Sequence, residues 1–97
     1  MSTIVGTYKH HNRGLGALVR VEFEDPLAAR TEMGHALADE LALHVAGTEN
    51  PSLDDEHVRS SETLTGMVAR VAGELGCEVR VAEFVRLSAD GMLARSL

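Results

Sequence analysis

Aromatic side chains are nearly missing from this 97-residue chain: there is no tryptophan, and Tyr8, Phe23 and Phe84 are its whole complement. The core must therefore be assembled from Val, Leu, Ala and Met. Cys77 is the single cysteine, which excludes an intramolecular disulfide and suits a reducing cytoplasm. No apolar run approaches the roughly 20 residues that span a bilayer. The first residues lack the basic start and apolar stretch of a secretory signal. Bases are scarce too. Nine stand against fifteen acids for a net charge of −6, which argues against a general nucleic-acid or anionic-membrane binder. Lys9, Arg13 and Arg20 outweigh Glu22 in residues 1–23, so the acidic excess lies beyond them. What is present, 44% hydrophobic and 25% charged residues, reads as one globular domain over 1–97.

Ile4, Val5, Thr7 and Tyr8 make residues 3–9 a short β-prone run. Residues 10–14 supply Asn and Gly for a turn. Residues 16–23 then alternate, with Ala17, Val19, Val21 and Phe23 on one side and Leu18, Arg20 and Glu22 on the other. This reads as a hairpin with a basic tip. Asp25-Pro26 opens a helix, the acid as cap and the proline where a missing N–H costs nothing. Met33, Leu37, Leu41 and Val45 form its apolar stripe, and Gly47 is expected to close it in the left-handed conformation. Residues 48–59, with Pro51, read as a polar surface connection.

A second helix is expected after a cap at Ser60 or Ser61, with Leu64, Met67 or Val68, Val71 and Leu75 inward and Gly76 as its stop. Residues 77–87 alternate again, but neither face is cleanly apolar. Val79, Val81, Val85 and Leu87 share one side with Glu83, while Ala82 and Phe84 share the other with Arg80 and Arg86. That pattern predicts a strand covered on both sides, one of them by a partner chain. Residues 88–97 read as a fraying tail. The expected fold class is α+β: a three-stranded antiparallel sheet with two helices on one face, in the order β-β-α-α-β.

The stretch GTYKHHNRGLGALVRV, residues 6–21, resembles the opening of the dimerisation (core) domain of bacterial elongation factor Ts. EDPLAAR (24–30), LADELALHVAG (37–47) and Asn50-Pro51 continue the likeness. SSETLTGMVARVAGELGCEVRVAEFVRLSADG (60–91) is similar to the family's last helix and strand. The pieces follow the family's order, and its long helical middle section shrinks here to residues 48–59. The resemblance implies the family's fold, a homodimer in place of two core copies on one chain, and elongation factor Tu as partner. The family's Thr-Asp-Phe-Val signature, whose Asp-Phe pair wedges near the magnesium site of that GTPase, falls on Asp25-Pro26-Leu27-Ala28. The acid is displaced by one place and the aromatic is replaced by Leu. Nucleotide exchange is therefore expected to be weak or lost, the alternative being a stand-alone dimeric interaction module that keeps only the fold.

Candidate partner-binding residues are His10 and His11 at the basic hairpin tip, and, through the resemblance, Asp25, Pro26, Leu27 and His44. Candidate dimer-interface residues are Val79, Val81, Phe84 and Val85 of the last expected strand. His10 and His11, with His35, His44, His57 and Cys77 elsewhere, invite a metal reading. Neighbours in a strand or turn point in opposite directions, and no ligand spacing supports a site. Cys77 lies beside Glu78, and an acidic neighbour does not activate a thiol. The run Asp54-Asp55-Glu56 reads as solvated. No nucleophile–base pair and no phosphate-cradling loop is found. The chain is expected to act by binding, without cofactor or metal, in the cytoplasm, and without contact to nucleic acid or membrane.

Overall fold

The first two strands pair as the alternation requires. Ser2–Lys9 (β1) and Leu15–Phe23 (β2) run antiparallel, with Ser2 opposite Phe23 and Lys9 opposite Gly16. The computed structural model describes residues 2–10, 14–48, 50–57 and 60–96. Ala17, Val19, Val21 and Phe23 are all buried, so β2 carries the sheet's main contribution to the core. The helix expected from Asp25 onward is two helices. Pro26–Ala29 (α1) is one turn, and Glu32–Ala46 (α2) starts afresh because Thr31 is extended and its hydroxyl accepts from the Gly34 N–H at 3.0 Å. A threonine that caps so well offers the chain a better arrangement than helix continuation. Gly47 does end α2, but at φ −85°, not in the left-handed region.

Alpha-2 crosses β1 and β2 on its Leu37–Ala38–Leu41–Ala42–Val45 face. The crossing is close at one point. A Cβ built on Gly6 would lie 2.0 Å from the Ala38 carbonyl oxygen, so no side chain fits there. The next helix, Leu64–Leu75 (α3), is capped by Thr63, not by Ser60 or Ser61. The Thr63 hydroxyl accepts from the Gly66 N–H at 3.0 Å. Leu64, Met67 and Val71 are its buried residues, and Gly76 stops it at φ 69°.

Val79–Ser88 (β3) pairs antiparallel with β2, and Gly91–Ser96 (β4) pairs with β3, so the sheet has four strands in the order β1-β2-β3-β4. The three-stranded expectation is corrected by the chain's last residues. Ser88 and Gly91 pair across a tight turn in which Gly91 takes φ 147°, and the segment read as a tail returns as an edge strand. The general class, α+β, stands.

A β-bulge explains the mixed faces of β3. Val81 lies opposite Val21, yet Glu83 lies opposite Arg20, leaving Ala82 as one residue too many. Such an insertion reverses the alternation beyond it. Val79 and Val81 therefore face the helices before the bulge, and Phe84 faces them after it, with Val81 and Phe84 buried. The connection 48–59 is corrected likewise. In its described part, Pro51 and His57 are buried and Leu53 packs against the core.

Candidate functional site

The residues singled out from the sequence fall into separate regions. Asp25 accepts the Leu27 N–H through Oδ1 at 2.9 Å and so caps α1, with Pro26 in the first turn. That cap holds a one-turn helix whose Ala28 and Ala29 are buried and whose Leu27 points to solvent at 69% exposure. An apolar side chain this exposed, on a locally fixed turn, is a candidate contact point for another molecule. His10 lies at the other end of β2. Its N–H donates to the Leu15 carbonyl at 2.9 Å and its ring meets Tyr8 edge-on at 6.2 Å. His11 lies outside the described residues, as does Arg13.

His44 sits near the C-terminal end of α2, about 18 Å along the helix axis from Glu32 at 1.5 Å per residue. It is 2% exposed and takes part in a reciprocal clasp. From the helix, His44 Nε2 meets Asp55 Oδ2 at 3.1 Å. From the connecting segment, His57 Nε2 meets Glu40 Oε2 at 3.1 Å and donates toward the Glu40 carbonyl at 2.9 Å. The two rings lie 5.9 Å apart, tilted by 30°. Asp55 also accepts the Ser52 N–H at 2.8 Å. The His44 hydrogen bond, followed by that of Ser52, holds the Asp55 carboxyl below its ordinary value of 3.8. With its N–H committed to Asp55, His44 leaves Nδ1 buried without a partner among the described residues. The clasp ties the connection to α2 and withdraws His44 from the surface.

Among the four candidate dimer residues, the structure puts Val81 and Phe84 in the core, at 6% and 1% exposure, with Val79 half-buried on the same face. Val85 alone belongs to the outer face of the sheet, opposite Leu18. That face carries Val5, Leu18, Leu87 and Met92, all about half exposed or more, and the Arg20–Glu83 and Arg80–Glu22 ion pairs. Sequence reasoning missed Asp55 and His57, because a histidine and an acid eleven residues apart across a loop leave no periodic signal. Among the described residues no three metal-ligating side chains gather, and no helix is long and apolar enough to cross a membrane.

No family model matches the chain. Over 55 residues it is 34% identical to elongation factor Ts of Solibacter usitatus (strain Ellin6076), a stretch that spans 57% of this chain and 26% of that protein. The chain is similar to that factor over a part of its length.

Proposed function

We propose that the chain is an elongation factor Ts-like protein of the cytoplasm that binds elongation factor Tu and promotes GDP release only weakly. The observation that carries this reading is the 34% identity to elongation factor Ts. The exposed Leu27, on a capped turn where the family signature falls, supports it. The mechanism is differential binding. A factor that holds the nucleotide-free conformation of a GTPase more tightly than the GDP-bound one lowers GDP affinity by the ratio of the two. No covalent step is needed, and no cofactor enters. Leu27 presents an apolar surface but no ring, and Asp25 spends its carboxylate on the helix cap, so the contact should bind without displacing much.

The test is GDP release from elongation factor Tu followed with a fluorescent nucleotide. Weak acceleration is expected from the native chain, with a clear gain in Pro26→Asp/Leu27→Phe, since an acid at the first helical position remains compatible with the helix. Absence of any complex with the GTPase, with or without nucleotide, would defeat the reading. The second reading, a stand-alone dimeric module without exchange activity, would then take its place.

A further inference from the structure

One hydroxyl joins α1 to α2. Thr31 Oγ1 donates to the Ala28 carbonyl at 2.7 Å and accepts the Gly34 N–H at 3.0 Å. The first bond reaches back into α1, the second caps α2, and both use the same oxygen. The corner is tight from the other side as well. A Cβ built on Gly34 would lie 2.7 Å from the Ala28 carbonyl oxygen and 3.2 Å from Phe23 Cζ. Gly34 has ordinary helical backbone, so its missing side chain serves the close approach of α1. A single helical turn does not persist on its own. This one is held by the Asp25 cap at its start, by the buried Ala28 and Ala29, and by the Thr31 hydroxyl at its end.

We infer that Thr31 is a positioning residue for the partner contact and acts through Leu27. Leu27 is largely exposed, so its direction is set by the backbone of α1 and not by core packing. An apolar group adds to affinity in full only when it is already in place, because ordering it on contact subtracts from the gain. Apparent affinity therefore falls with the fraction of time the turn is formed. The Arg30 and Thr31 amides donate to the Leu27 and Ala28 carbonyls at 3.1 and 3.2 Å, so the Ala28 oxygen accepts both the N–H and the hydroxyl of Thr31. Valine keeps the shape of threonine and loses both side-chain bonds, whereas serine keeps both. Thr63 supplies the contrast. Its hydroxyl accepts the Gly66 N–H at 3.0 Å in the same capping bond, and among the described residues it makes no bond back to the segment before it. The inference rests on the reading of Leu27 as part of the contact with the GTPase.

The test is the affinity for nucleotide-free elongation factor Tu, measured by titration calorimetry. Thr31→Val should raise the dissociation constant about tenfold, while Thr31→Ser should stay within about twofold of the native chain. Thr63→Val removes an equivalent cap from α3 and should lower the melting temperature without changing the affinity. In a Leu27→Ala background, itself weaker, Thr31→Val should cost nothing further, since nothing is left to position. Gly34→Ala pushes α1 outward while keeping the hydroxyl, and should repeat the pattern if Thr31→Val does not fold. Native affinity in the folded corner variants would overturn the inference and leave the GTPase reading in place. So would a Thr31→Val effect that is undiminished in the Leu27→Ala background. No complex with the native chain would remove both.

Discussion

Asp55 and His44 stand eleven positions apart in the chain and 3.1 Å apart in the fold, and that contact shows what a charge in a loop can be for. The run Asp54-Asp55-Glu56 reads as solvated because nothing in its spacing names a partner. Its middle residue instead accepts two hydrogen bonds and anchors the connection. The folded state keeps the Asp55 carboxyl ionised below 3.8, its ordinary value, so the unfolded chain binds the extra proton first as pH falls. The stabilisation is full only well above that ordinary value and is lost as pH drops through the lower, folded value. Asp55→Asn should cost about 1–2 kcal/mol at neutral pH by weakening two charge-assisted bonds. Its melting temperature should converge on that of the native protein in acid. A gap that stays constant down to the acid limit would show that the carboxylate charge plays no part.

At the scale of elements, regular patterns are legible in the sequence and interruptions are not. The β1–β2 hairpin, the β2 alternation and three of the four expected stripe residues of α2, Leu37, Leu41 and Val45, follow from spacing and are present, whereas Met33, the expected start of that stripe, is 38% exposed in the first turn of α2. The break at Thr31 and the cap at Thr63 stay hidden, because threonine in a chain reads equally as interior or cap until the helix ends are known. Asp90-Gly91 is a readable hairpin signal that a short, half-polar final strand obscures. The mixed faces of β3 are the trace of a bulge. A bulge residue is the one place in a strand where a deletion need not flip its neighbours. Removing Ala82 leaves Val81 inward, Glu83 outward and Phe84 inward, which restores strict alternation. The Ala82 deletion should retain a cooperative melt, whereas deleting Val85, with no bulge to absorb it, should abolish one. Equal damage from the two deletions would mean that the bulge is not where the pairing puts it.

At the scale of the whole molecule, the described residues form one core and several exposed apolar regions, and the sequence does not tell which apolar residues belong to which. Phe84 and Leu18 make the distinction sharply. Phe84 is 1% exposed with the Arg95 guanidinium 5.5 Å from its ring centre, while Leu18 is 48% exposed on the opposite face of the sheet. Phe84→Asp would bury a carboxylate where an aromatic ring was packed, at a cost of several kcal/mol against a total of about 5–15 kcal/mol, and should unfold the chain. Leu18→Asp changes a solvent-facing residue and should shift stability by about 0.5 kcal/mol or less. Val5, Leu18, Leu87 and Met92 leave the outer face of the sheet exposed and open to a second molecule. Circular dichroism and light scattering on the two variants separate these roles. A Leu18→Asp variant that stays folded but loses a doubled mass shown by the native chain would place the contact between copies on the outer face. A folded Phe84→Asp variant would contradict the placement of the core itself.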